Sequence, residues 1–343
     1  MNALTERELI GRLVAGMPRS SYQLNRVHQS DAELLRIPGT DVVLAVTTDG
    51  IVEEIAIGLY DDPYLAGWMG VTVNASDLAA VGAKPLGLLV SEAIPPGMKG
   101  EDVARLQAGI GDSAKAHRLP VLGGDTNASA GLHVTGTAIG VVRERWVTRC
   151  GTSPGDLVFA SGPLGLGSAF AFARLMSASP TGVAYQPVAR LPEGQVMACW
   201  ATACIDTSDG AIAAFDELFQ LNDVGVRVLR PLEELLHPVA LAMAQGAGLP
   251  KWTMLAGPHG EFELLFTVPR VQCDVFLADA AMSGWEPILL GDVVPQAGLA
   301  WREEDDWLRV DTTRIRNLFA EVGGDPHRYL DALLSRVPVQ APL

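Results

Sequence analysis

Five aspartates stand where apolar stretches of this chain pass into tight corners rich in glycine, serine and threonine. Asp49 closes Thr47-Thr48-Asp49-Gly50, Asp77 ends Asn74-Ala75-Ser76-Asp77, and Asp125 follows Gly123-Gly124. Asp206 and Asp209 bracket Thr207-Ser208 ahead of Gly210. One carboxylate at a strand end means little. Four such corners in one chain point to a site that gathers hard cations, and glycine corners beside them point to a bound nucleotide phosphate.

The 343 residues suffice for two domains or one large one. A hydrophobic content of 48% and a mean hydropathy of +0.22 allow a sizeable core and argue against wholesale disorder. The net charge of −15 and pI of about 4.8 argue against nucleic acid as a partner, because backbone phosphates require a basic surface. An anionic substrate would need local cations here, which metal ions can supply. The four cysteines, Cys150, Cys199, Cys204 and Cys273, form neither a CxxC pair nor a zinc pattern and are expected to be buried thiols. The first residues lack the order of a signal peptide, and no apolar run reaches membrane-spanning length. The expectation is a soluble, cytoplasmic protein with no membrane partner.

The pattern of elements is mixed. Thr5 and Glu8 make a capping-box start for a first helix. Residues 16–40 read as irregular. Val42 to Val46 is a continuous apolar run and predicts a buried strand. Asp62-Pro63 opens a helix that runs to Val81 and stops at Gly82. A strand is predicted over 87–94, a helix over 102–117 and a strand over 133–142. A turn cluster at 150–156 breaks the pattern. Beyond it, strands at 157–160, 225–229 and 262–268 alternate with helices at 168–176, 192–202 and 211–220.

Asp77 sits in a helix that is apolar nearly all round, so the helix is buried. A buried carboxylate must be paired or bind a metal, unless Asn74, Ser76 and Asp77 form a polar stripe bonded to nearby backbone. Gly123-Gly124 would let backbone N–H groups approach a phosphate, with Asp125 holding Mg2+; the same residues also make an ordinary strand-to-turn corner. Asp206 and Asp209 flank Ser208 where a helix N-cap belongs, and caps explain only one of the two. There is no GxxxxGK[ST] phosphate loop. The six histidines are scattered, and His259 reads as a turn residue rather than a base.

Residues 73–85, Val-Asn-Ala-Ser-Asp-Leu-Ala-Ala-Val-Gly-Ala-Lys-Pro, resemble the NLSDLAAMGAxP segment of thiamine-monophosphate kinases in the aminoimidazole-ribonucleotide (AIR) synthase superfamily. Thr47-Thr48-Asp49, Leu122 to Thr126, Val147 to Gly151, Ile205 to Gly210 and Phe262 to Phe266 match further signatures of that family in the same order. The resemblance implies a two-domain α/β (α+β) fold. Residues 1–150 would be an N-terminal ATP/Mg domain whose strands join those of a second subunit in a barrel. Residues 151–300 would be an α+β C-terminal domain, and 301–343 a C-terminal extension. A homodimer follows. Asp31, Thr48, Asp49, Asp77, Asp125, Asp206 and Asp209 would serve Mg2+, and Gly123, Gly124, Arg149 and Ser208 would contact ATP. Asp125, Asp209 and Arg149 would be central to catalysis.

The implied activity is Mg-dependent transfer of the ATP γ-phosphoryl to a small acceptor, itself phosphorylated or not. An AIR synthase-like enzyme that activates an amide or carboxyl oxygen shares the same ATP half. A catalytically silent nucleotide-binding paralogue is the third reading. Three departures from the family pattern motivate it: Ser30 for an aspartate, Ala56 for a substrate-contacting histidine, and Gly260 for a substrate-contacting glutamate.

Overall fold

The structure is a computed structural model and describes residues 6–142, 145–176, 182–303 and 306–336. The first half contains α1 (Glu6–Val14), β1 (Glu33–Arg36), β2 (Val43–Gly50), α2 (Val52–Ala56), α3 (Pro63–Ala80), β3 (Lys84–Ile94), α4 (Gly100–Ala116), β4 (Val121–Ala128) and β5 (His133–Val142). Its five strands form one sheet in the order β1-β2-β5-β3-β4. All neighbours are antiparallel except β3 and β4, which α4 connects as a parallel crossover. The sheet is open, with β1 and β4 at its edges.

The second half contains β6 (Leu157–Ala160), α5 (Leu166–Leu175), α6 (Leu191–Met197), β7 (Ala203–Asp206), α7 (Ala211–Asn222), β8 (Gly225–Val228), α8 (Leu232–Leu235), α9 (Pro238–Ala247), β9 (Leu264–Val268), α10 (Cys273–Met282), β10 (Ile288–Val294), β11 (Gly298–Glu303), β12 (Asp306–Val310), α11 (Thr312–Glu321) and α12 (Pro326–Arg336). Its seven strands lie in the order β12-β11-β8-β10-β6-β9-β7. Both faces are covered. Leu157 and Phe159 of β6 join one core with α3, α6 and α10, while Val158 and Ala160 face a second core with α7, α9 and α11. That is why β6 reads as an unbroken apolar run.

Helix α3 ties the halves together. Asp62 caps it, accepting from the Tyr64 N–H at 3.2 Å, and Pro63 occupies its first position. Gly82, at φ +72°, turns the chain out of it. Almost every residue from Ala66 to Ala80 is buried, against the first sheet, α4, α6 and β7. Glycines permit this closeness. A Cβ on Gly109 would lie 2.0 Å from the Tyr64 carbonyl oxygen, and one on Gly194 would lie 2.2 Å from that of Ala79.

Several expectations shift. The Thr5 half of the capping box lies outside the described residues. Within 16–40, β1 forms an edge strand; only Leu34 of its four residues is fully buried, so its pattern does not stand out. The corners at Asp49 and at Gly123-Gly124-Asp125 are not turns, because β2 and β4 run straight through them. Gly124 lets β3 close in, since a Cβ there would lie 1.8 Å from the Val90 carbonyl oxygen. The helix at 192–202 stops at Met197, as Thr202 leaves to pair with Thr267 at 2.8 Å. Cys204 and Cys273 are buried as expected, but Cys150 is half-buried and Cys199 exposed; none forms a disulfide. Among the described residues, no helix is long and apolar enough to cross a membrane.

Two glycines of α4 separate packing from propensity. Gly109→Ala is expected to destabilise the protein by about 1–3 kcal/mol through overpacking against α3. Gly111→Ala, with nothing within 4 Å of the added carbon, is expected to stabilise by up to about 1 kcal/mol. Thermal and urea unfolding of the two variants check this.

Candidate active site

Three of the aspartates converge. One carboxylate oxygen from each of Asp31, Asp77 and Asp206 lies within 4.8 Å of the others. Asp31 comes from the loop before β1, Asp77 from the last turn of α3 and Asp206 from the end of β7. The group therefore forms only when the halves meet. Thr47 donates to Asp77 at 2.5 Å, and Ser76 and Ser208 donate to Asp206 at 2.5 and 2.8 Å. Arg149 bridges to Asp31 at 2.9 Å.

Burial pushes the Asp77 carboxyl far above its usual range, and the charges of Asp206, Asp49 and Asp31 push it further. Asp206 is raised to about 6 by burial and then by Asp31, with Ser76, Ser208 and Arg149 pulling it back. Asp31 keeps one buried oxygen, Oδ2, with no hydrogen-bond partner. An all-oxygen set with an orphaned buried carboxylate oxygen fits a hard dication such as Mg2+.

The remaining sequence candidates surround this group to different degrees. Asn74 clamps the Asp49 backbone, accepting its N–H at 3.0 Å and donating to its carbonyl at 3.2 Å. Asp49 adds its charge to the environment of Asp77. The Thr48 hydroxyl donates to the Gly136 carbonyl at 2.9 Å and accepts from Thr137. Ser208 and Asp209 line a narrow cavity with Arg149 and Asp206. The N-cap residue of α7 is Gly210, which has no side chain to cap the helix. The first turn of α7 borders the same cavity through Ala213 and Ala214.

Gly123, Gly124 and Asp125 lie apart from the trio, on the exposed edge strand β4, where Asn127 donates to Asp125 at 2.7 Å. Gly124, Val90, Gly136 and Asp49 occupy one row across the sheet. Three strand spacings separate its ends, about 14 Å.

Some site residues were not singled out from sequence. Glu217 of α7 is buried beside three arginines: Arg316 donates to it, Arg7 stands at 3.6 Å and Arg149 at 4.0 Å. Glu54 is partly buried and pushed to about 7 by desolvation, with Asp49, Glu53 and Asp209 adding to the rise. Neither had a local signature, since each gains its meaning from residues far along the chain. His259 is buried and pushed down to about 4, hence neutral, and its Nε2 has no partner.

The loop at 257–262 departs most from family expectation. A Cβ on Gly260 would lie 1.4 Å from the Thr207 carbonyl oxygen, so no side chain fits there. The Gly260 N–H donates to the Ser208 carbonyl at 2.8 Å, and its own carbonyl accepts from the Tyr185 hydroxyl at 2.6 Å. Phe262 adopts φ +61°, a strained backbone for an aromatic residue. Ala56 ends α2 and is exposed.

The AIR synthase related protein N-terminal domain family matches residues 29–142. The thiamine-monophosphate kinase of Pyrococcus abyssi is 32% identical, over 70% of this chain and 77% of that protein. The chain belongs to the thiamine-monophosphate kinase family. The fold of this family member agrees. The crystal structure of tt0281 from Thermus thermophilus superposes with a TM-score of 0.76 at 27% identity, covering 88% of this chain and 98% of that one. AaThiL complexed with AMPPCP and TMP superposes with a TM-score of 0.73 at 23% identity, covering 90% and 99%.

Glu261 gives this family member a pH signature. It is fully buried, accepts from the Gly165 N–H at 2.8 Å, and is pushed up to about 8 mainly by burial. A carboxyl whose folded value is raised binds its proton more tightly when folded. Stability is therefore fullest below its ordinary value and falls as pH rises through about 8. Glu261→Gln is expected to lose fewer degrees of Tm than the parent between pH 6 and 9, checked by scanning calorimetry at both.

Proposed function

We propose that this kinase-family chain uses Mg2+ and ATP to phosphorylate a small phosphate monoester, with thiamine monophosphate as the first acceptor to test. The observation that carries the proposal is the convergence of Asp31, Asp77 and Asp206 from both halves, with Arg149 held on Asp31. Bound Mg2+ would supply charge neutralisation at the phosphate oxygens. Asp31, Asp77 and Asp206 would hold one ion, with Thr48, Asp49 and Asp209 as further ligands, and Asp125, on β4, would serve a separate one. Gly123, Gly124, Ser208 and Arg149 would face ATP. Asp125, Asp209 and Arg149 would orient the reacting phosphates.

A phosphate acceptor is already anionic at neutral pH and needs no strong base. The state of His259, pushed down to about 4 by burial and so neutral, is consistent with that. The family resemblance and the AMPPCP and TMP held by AaThiL support the substrate pair. We further propose a cytoplasmic homodimer, with the domain boundary near residue 150. Leu86, Leu89, Val121 and Leu122 are exposed on β3 and β4. A second copy that continues the sheet from the open edge at β4 would cover such residues. Sedimentation that finds only monomer at micromolar concentration would count against it.

One observation favours the silent-paralogue reading: position 260 has no room for the family glutamate. The assay separates the two. Purified protein with Mg-ATP and thiamine monophosphate is expected to give ADP and thiamine diphosphate. Asp77→Asn and Asp125→Asn are each expected to lower turnover about 100-fold or more. Mg-ATP binding without product would instead support the silent reading.

A further inference from the structure

We infer that Arg316, on α11, is a second fixed cation of the nucleotide site, placed to contact the polyphosphate beside Arg149. The inference rests on the ATP reading above. It concerns a residue outside every motif that supports that reading.

Arg316 and Arg149 line the same narrow cavity as Asp206, Ser208 and Asp209. The cavity holds about 40 Å3, enough for phosphate oxygens but not for a base. Both guanidinium groups are anchored on one buried carboxylate. Arg316 Nη1 donates to Glu217 Oε2, and Arg149 Nη1 stands 4.0 Å from Glu217 Oε1. Glu217 Oε1 makes no hydrogen bond. It acts through charge, between arginines brought from separate parts of the chain.

The helix that carries Arg316 is itself clamped. The hydroxyls of Thr312 and Thr313 both donate to Asp216 Oδ1 at 2.8 Å, and Arg316 stands 3.9 Å from Asp216 Oδ2. Residues 312–316 are thereby fixed to α7, whose first turn borders the cavity. Arg316 also feels Asp209 across it. Its side chain is 23% exposed, against 3% for Glu217, so Arg316 keeps access to solvent while its anchor is buried.

The electrostatics favour this use. The chain carries a net charge of −15 and gathers acids at this site. Arg149 is largely committed to Asp31. A polyphosphate approaching the same rim meets the second guanidinium next to the first. Arginine suits that place because it cannot lose its proton and its planar fork matches phosphate oxygens.

The test uses the full chain and calorimetric titration with Mg-AMPPCP, Mg-ADP and adenosine. Arg316→Gln is expected to weaken Mg-AMPPCP about tenfold, Mg-ADP less, and adenosine hardly at all. Arg316→Lys is expected to recover part of the loss. Arg7→Gln is the control, because Arg7 touches the same Glu217 at 3.6 Å but does not line the cavity. It is expected to leave all three affinities unchanged. Unchanged Mg-AMPPCP binding in Arg316→Gln would overturn the inference and leave the ATP reading standing. Equal losses for all three ligands, or the same loss in Arg7→Gln, would reduce Arg316 to a structural partner of Glu217. Absence of any Mg-AMPPCP binding by the parent protein would instead overturn the ATP reading, and this inference with it.

Discussion

The near-complete burial of α3 from Ala66 to Ala80 is the constraint from which the site follows. A helix with no solvent face must give each of its polar groups a partner inside the protein. Thr72 donates to the carbonyls of Trp68 and Pro187. Asn74 clamps the backbone of β2 at Asp49. Ser76 reaches across to Asp206 in the other half. Asp77 is met by Thr47 and by the charges of three other aspartates. Together these residues tie β2, β7 and the segment at Pro187 to the helix. The last of them is left in a position that only a proton or a cation satisfies.

The arginines balance this arrangement from the other side. Asp31 is buried yet bridged by Arg149, and Arg149 leans on Glu217, which Arg7 and Arg316 also hold. The chain of charge runs from α1 through the junction of the halves to α11. Removing one partner from such a network leaves another buried charge exposed to low dielectric, which costs more than the contact itself contributed. Arg149 is thus both a fixed positive charge at the rim and a support for the carboxylates.

What the sequence made legible was local. The start of α3 at Asp62-Pro63, its end at Gly82 and its burial all follow from cap, stop and composition within some twenty residues. The trio of Asp31, Asp77 and Asp206 was among the named aspartates, with Asp31 reached only through family resemblance. Other features had no local mark. Strand β1 is too short and too charged at its ends to alternate clearly. The glycines at 123 and 124 read as a corner, but they serve a strand that pairs closely with β3. Glu217 and Arg316 share no recognisable signature until α7 and α11 pack together.

The loop at 257–262 is held by backbone contacts rather than by side chains. Gly260 presses on Thr207, Gly210 on Gly257, and Gly167 on Gly260, each closer than a Cβ would allow. The corner that carries Asp206 and Asp209 is therefore interlocked with the loop that would face the acceptor. Thr207 strengthens the lock, since its N–H donates to the Glu263 carbonyl and its hydroxyl accepts from the Glu263 N–H. Restoring a glutamate at position 260 would not rebuild a substrate contact. It would drive the loop away from Thr207 and Gly210 and disturb the corner that carries Asp206 and Asp209. In this chain the loop at 257–262 and the corner that carries Asp206 and Asp209 share one piece of backbone packing, so a change in the first is bound to register in the second.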